Sequence, residues 1–303
     1  MSRTFWLASY PKSGNTWFRM LLNALALKDG ESFDINALRR RDGIASGRAP
    51  FDHLTLVESG LLTFEEADRL RPAFYRAQAH ENWDEDEDDD SLSGVRFVKV
   101  HDAYTRLPDG EPLLGGREAA EGAIVIVRDP RDLAASVANH NGVSIDRAIG
   151  QIGNAKAALA SGTKQQDLQL RHSLLDWSSH VASWLDQPDL PVHWMRYEDM
   201  RRDPVRHFAE ALAFAGLTLP EAELARAVAT ADFDALRSQE AEKGFVEAAG
   251  KTNPRPFFRR GRAGGWRDEL SAEQVARIEA KHADMMRRLG YEPVGGNEAG
   301  ESS

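Results

Sequence analysis

Residues 5 to 25 read as a strand, a tight polar loop and a helix in unbroken succession, which commits the chain to a fold with a loop between a buried strand and a helix start. Phe5-Trp6-Leu7-Ala8 is a short apolar run, Tyr10-Pro11-Lys12-Ser13-Gly14 has turn composition, and Phe18, Leu21, Leu22 and Leu25 repeat at helical spacing. Amides exposed at a helix start attract anions with the help of the helix dipole, and Gly14 lets the backbone approach a phosphate closely. Lys12 adds a point charge, while Ser13, Asn15 and Thr16 offer hydroxyl or amide donors. The order is not that of a Walker loop, because here the lysine precedes the glycine.

Downstream, residues 63 to 79 read as helix, Val95 to Val100 alternates as a strand ending at His101, and Ala123 to Val127 is an apolar run typical of a strand buried on both faces. Asp129-Pro130 caps and opens the next helix. His172 to Leu185 reads as a long amphipathic segment leading to a strand from Val192 to Tyr197. Residues 204 to 240 read as helices, 244 to 264 as an irregular Gly/Pro/Arg-rich loop, and 271 to 289 as a closing helix. Strands alternating with helices predict an α/β fold, a single domain over residues 1–294 with a central parallel sheet flanked by helices. Within it, residues 84–90 form an acidic run expected to be a solvated, mobile loop, and residues 295–303 are expected to be a disordered tail.

Composition removes several functions. Among 303 residues there is no cysteine, which excludes a disulfide framework, a thiolate metal site and a cysteine nucleophile. A metal would need histidine and carboxylate. The formal charge of −10 argues against nucleic acid or a membrane surface as partner, since polyanions are attracted by basic surface. No run reaches the roughly 18 apolar residues of a membrane helix. The apolar start is too short for a signal-peptide core, so a cytoplasmic protein is expected, with a homodimer left open.

Three further clusters carry chemistry. The strand ending at Val127 delivers Arg128 to the edge where open parallel sheets bind ligands, and Ser136 lies about two turns into the next helix. Arg131 is divided between a phosphate contact and a surface pairing with Asp129 or Asp132. Phe258 to Trp266 gathers Arg259, Arg260 and Arg262 around Gly261, a concentration of like charge that an anion would relieve. Lys99 and His101 project from the same strand face, and an imidazole is suited to act as a base near neutral pH. Asp102 could orient or tune that imidazole, but adjacent residues of an extended chain point to opposite faces, which favours a surface role.

Together these segments resemble the cytosolic sulfotransferase family, over about residues 4 to 291. The resemblance implies a sulfotransferase fold of the P-loop NTPase/kinase-like type and transfer of a sulfuryl group from 3′-phosphoadenosine 5′-phosphosulfate (PAPS) to a hydroxyl or amine of a small-molecule acceptor. The product would be adenosine 3′,5′-bisphosphate, and no metal would be required. Carried over, Lys12 contacts the transferring group, Ser13, Gly14, Asn15 and Thr16 bind the 5′-phosphate, and Trp17 stacks on adenine. Arg128, Ser136, Arg259, Arg260 and Gly261 contact the 3′-phosphate, while Tyr197 and Phe233 approach adenine. Lys99 stabilises the group in flight and His101 is the catalytic base. The chain departs from the family at Arg260, where lysine is usual, at Gly265, where aspartate is frequent, and at Ala231, where threonine often stands.

Two other classes fit parts of the pattern. A magnesium-dependent P-loop small-molecule kinase would use Asp129 as metal ligand. A non-catalytic nucleotide-binding protein would need the phosphate segments but not His101. The acceptor should be shaped by residues 30 to 93, about 140 to 170, and 237 to 258.

Overall fold

Gly122–Val127 buries all six of its residues and lies inside the sheet, as its apolar run predicts. The structure is a computed structural model that describes residues 3–27, 31–37, 44–80, 92, 94–162, 167–248 and 255–294. The acidic run 84–90 and the tail from residue 295 lie outside the described residues.

The strands are β1 (Arg3–Ser9), β2 (Val95–Val100), β3 (Gly122–Val127), β4 (Ala158–Leu159), β5 (His172–Ser173) and β6 (Val192–Arg196). Four of them form one parallel sheet in the order β2-β1-β3-β6. Its register sets Trp6 beside Val98 and Ala123. Strand β1 therefore lies between its two partners, and the chain leaves it first to one side and then to the other. Such a reversal opens a crevice at the carboxyl ends of the strands.

The helices before residue 81 are α1 (Asn15–Leu25), α2 (Arg48–Thr55) and α3 (Phe64–His80). Between residues 130 and 202 come α4 (Pro130–Asn141), α5 (Ile145–Ile152), α6 (Trp177–Leu185) and α7 (Tyr197–Arg202). The last are α8 (Pro204–Phe214), α9 (Glu221–Thr230), α10 (Phe233–Lys243), α11 (Trp266–Glu269) and α12 (Ala272–Arg288). The pleat sorts them into two layers. Trp6, Ala8, Val98, Val100, Val125 and Val127 pack with α2 to α6 and α12, and Phe5, Leu7, Phe97, Ile124 and Ile126 pack with α1 and α7 to α10.

Helix boundaries follow local chemistry. Asp129 accepts a bond from the Arg131 amide with Pro130 at the first helical position, and Ser271 forms a capping box with Gln274. The segment from His172 to Leu185 differs from expectation. Its first residues pair as β5 with β4, Leu175 takes a left-handed φ of 59°, and the helix starts only after Asp176, which accepts from the Ser179 amide.

Candidate active site

The four sheet strands end on the same edge, and each delivers part of one cleft. After β1 comes the loop from Tyr10 to Gly14, after β2 His101, after β3 Arg128, and after β6 Tyr197. Gly14 caps α1 with a φ of 108°, and a Cβ there would stand 2.5 Å from the Tyr197 ring. No side chain caps the helix start and no acid lies in its first turn, so its leading amides face the loop as an anion site. The loop is pinned from beneath: Asn15 Nδ2 donates to Leu7 O at 2.8 Å, and the Ser13 amide donates to Tyr10 O at 3.2 Å.

The cleft has a volume of about 730 Å³. Every residue to which the family resemblance gives a donor-binding or catalytic role lines it except Ser13, which is fully buried beneath the loop with its hydroxyl unpartnered. Asn15 also uses its side chain inward, so only its backbone amide is available to an anion.

One end of the cleft is aromatic. Trp17 and Tyr197 meet edge to face at 6.3 Å, Arg201 lies 4.9 Å over Trp17 and 5.4 Å over Phe233, and Gly261 presses against Phe233. At Gly261, with φ 59°, a Cβ would come within 2.3 Å of that ring. Trp17 Nε1 donates to Ala231 O at 3.0 Å, so the residue that replaces threonine serves through its carbonyl. Arg201 carried no sequence pattern.

The cations surround this floor. Arg128 Nη1 donates to Lys12 O at 3.0 Å and its guanidinium lies 4.6 Å over Tyr197, while its Nε is buried without a partner. Arg259 and Arg260 converge on Glu269, at 2.5 and 3.2 Å. Burial, with Arg128 and Lys99 nearby, lowers the Lys12 pKa to about 7, and its Nζ sits 3.5 Å over the Phe257 ring. Arg131 is not a surface residue: it is buried, pairs with Asp129 at 2.7 Å and Glu279 at 2.8 Å, and lies 4.2 Å over Trp266. It binds the fold rather than the cleft. That pairing also engages both Asp129 oxygens with Arg131, the carboxylate that the kinase reading gives to magnesium.

His101 Nδ1 lies 2.8 Å from Ser9 O, and among the described residues the ring's other nitrogen has no hydrogen-bond partner. Its pKa is held well below 6.5 by burial first and Lys99 next, against the bond to Ser9. Asp102 corrects the sequence expectation. It is buried against α3, where Arg71 Nη2 donates to it at 2.7 Å with both side chains 1% exposed. His172 Nδ1 lies 3.3 Å from the same carboxylate, and the Ser173 amide donates to its other oxygen. His180 packs edge to face on Tyr10 in the core.

Glu247 is a residue of the cleft that the sequence did not point to. It lies in the region read as irregular loop, where a lone carboxylate matches no motif. Oε2 accepts from Thr16 Oγ1 at 3.0 Å and lies 3.5 Å from Lys99 Nζ, and Oε1 accepts from Arg19 Nη1 at 2.6 Å. Burial would raise its pKa, but Lys99 and Arg19 overcome that and bring it to about 2.

Among the described residues no group of three histidine or carboxylate side chains gathers as a metal site would need, and no helix is long and apolar enough to cross a membrane.

Comparison with known proteins agrees with this geometry. Cytosolic sulfotransferase 17 of Arabidopsis thaliana is 26% identical over 302 residues, covering 95% of this chain and 75% of that one. Rat sulfotransferase 1A1 is 25% identical over 290 residues, covering 92% and 83%. Among solved structures, mouse sulfotransferase SULT7A1 complexed with PAP (adenosine 3′,5′-bisphosphate) superposes with a TM-score of 0.58 at 18% identity, over 95% of this chain and 85% of that one. Retinol dehydratase in complex with androsterone and PAP gives 0.58 at 19% identity, over 94% and 80%. These likenesses bear on the fold. The profile of the sulfotransferase domain family matches residues 2–290, and the chain belongs to that family.

Proposed function

We propose that this sulfotransferase moves the sulfuryl group of PAPS to a hydroxyl of a small molecule, with His101 as the base. The observation that carries this is the placement of His101, Lys99 and Lys12 in one cleft with anion-binding groups at two stations, the uncapped start of α1 at the phosphate loop, and Arg128 with Arg259 and Arg260. Two anion stations with an aromatic seat suit a nucleotide phosphorylated at both ends of its ribose.

The arrangement supports in-line transfer. The Ser9 carbonyl can only accept, so Nδ1 carries the imidazole proton and Nε2 takes the proton of the acceptor hydroxyl. The hydroxyl oxygen forms the new S–O bond as the bond from sulfur to the 5′-phosphate oxygen breaks, and adenosine 3′,5′-bisphosphate leaves with that electron pair. Lys12 and Lys99 neutralise the charge that develops between sulfur and the leaving phosphate. The first-turn amides of α1 with Thr16 hold the 5′-phosphate, and Arg128, Ser136, Arg259 and Arg260 hold the 3′-phosphate. Trp17, Tyr197 and Phe233 hold adenine.

Thermal unfolding in EDTA tests the donor assignment. Adenosine 3′,5′-bisphosphate is expected to raise the midpoint while adenosine 5′-monophosphate and ATP do not. Equal stabilisation by all three would mean that the second anion station does not read a 3′-phosphate.

A further inference from the structure

The turn after α10 reaches back over the phosphate loop, and both lysines of the proposed transfer are engaged from this side. Glu247 Oε2 accepts from Thr16 Oγ1 at 3.0 Å and stands 3.5 Å from Lys99 Nζ, while Phe257 underlies Lys12 Nζ at 3.5 Å. The other Glu247 oxygen is held by Arg19, a 4%-exposed arginine one turn into α1. This carboxylate is the only one lining the cleft among the described residues, and it stays ionised at neutral pH because Lys99 and Arg19 outweigh its burial.

Thr16 and Lys99 are the groups assigned above to the phosphosulfate end of the donor. Their positions are set by the β1–α1 turn and by β2, so a second anion cannot be accommodated by moving them apart. Two negative groups sharing one hydroxyl and one ammonium repel each other strongly where little water screens them. We propose that Glu247 is an internal competitor for the donor seat, and that PAPS binds by displacing its carboxylate from Thr16 and Lys99. The inference rests on the sulfotransferase reading. Arg19 keeps the displaced carboxylate close, since it holds the oxygen that does not contact Thr16.

The cost of displacement is the same for any anion that enters the seat. A ligand overcomes it only with contacts elsewhere, at the aromatic floor and at Arg259 and Arg260. Glu247 therefore sets a threshold that admits a nucleotide with a 3′-phosphate and turns away inorganic sulfate, inorganic phosphate and nucleotides that lack the second anion.

The test is Glu247→Gln, which keeps the shape and removes the charge. By calorimetry its affinity for adenosine 3′,5′-bisphosphate should rise about tenfold or more, and inorganic sulfate should stabilise it at lower concentration than wild type. Unchanged or weaker nucleotide binding would overturn the proposal, and a fall in kcat alongside it would make Glu247 a positioning residue for Lys99. If neither protein binds adenosine 3′,5′-bisphosphate, the donor assignment itself fails. Should the variant not fold, the structure of the wild-type complex with adenosine 3′,5′-bisphosphate decides. The proposal requires a phosphate oxygen on Thr16 Oγ1 with Glu247 moved off it, and a retained Glu247–Thr16 bond contradicts it.

Discussion

The Nδ1 of His101 lies 2.8 Å from the carbonyl oxygen of Ser9, the last residue of β1. A carbonyl cannot donate, so the bond fixes the tautomer and leaves the lone pair on Nε2. Adjacent strands thereby hold the base, and the same β1 carries the phosphate loop at its end. The distance between base and donor seat is set by the sheet, not by a flexible connection.

Burial and the neighbouring Lys99 keep His101 neutral well below pH 6.5. The acid limb of kcat should accordingly lie below that value, and a pH–rate profile measures it. Because the folded-state pKa is depressed, His101 favours the fold above pH 6.5 and loses that contribution as pH falls toward the folded value. A limb centred near pH 7 would mean that the imidazole is solvated and that Lys99 does not act on it.

Lys12 titrates at about 7 in the protein alone, lowered chiefly by burial and then by Arg128 and Lys99. An anion in the seat favours its charged form, so binding above pH 7 should take up a proton. Affinity for adenosine 3′,5′-bisphosphate should weaken by up to about tenfold per pH unit in that range. Calorimetry in two buffers of different ionisation enthalpy reads the uptake directly. Binding at pH 8 with no proton exchange would contradict the assignment.

The buried pair of Arg71 and Asp102 ties α3 to the residue after the base. Burial works against the Asp102 charge, yet Arg71 and His172 hold its pKa well below the usual carboxylate range. Asp102→Asn should destabilise the fold by about 3 kcal/mol in urea unfolding, because the buried Arg71 guanidinium loses the Asp102 charge and is left with the Asp68 carboxylate, 3.3 Å from its Nη1. A loss under about 1 kcal/mol would show that Arg71 finds water or another partner.

Gly14→Ala combines a left-handed backbone with a Cβ placed 2.5 Å from Tyr197. It should cost more than about 1 kcal/mol of stability and abolish nucleotide binding, because relief of the clash moves either the loop or the adenine seat. Retained binding at wild-type affinity would mean that the loop tolerates a different path.

The β1–loop–α1 unit was legible because its causes are local. A glycine at the cap, a lysine beside it and an apolar repeat after it are written within twenty-one consecutive residues, 5 to 25. Arg128 at a strand end and His101 two residues after Lys99 were legible for the same reason. Contacts across the chain were not. Thr16 and Glu247 are 231 positions apart, and no pattern around Glu247 marks it. Arg71 left a weak trace, since it shares the buried face of α3 with Ala67, Phe74 and Tyr75, where a charge needs a carboxylate, but nothing local names Asp102 as the partner. The two-residue strands β4 and β5 are too short for alternation to show, and the eight-residue α2 and α5 offer barely two turns of periodicity.

Sulfuryl transfer with His101 as base is tested most directly by a single-turnover reaction with sulfur-labelled PAPS and a panel of phenols, alcohols, amines and glycosides, comparing wild type with His101→Ala. The wild type is expected to transfer label to a hydroxylated acceptor. The variant should lose roughly a hundredfold or more in transfer rate, with its affinity for adenosine 3′,5′-bisphosphate unchanged. Transfer by the variant at the wild-type rate would contradict His101 as the base.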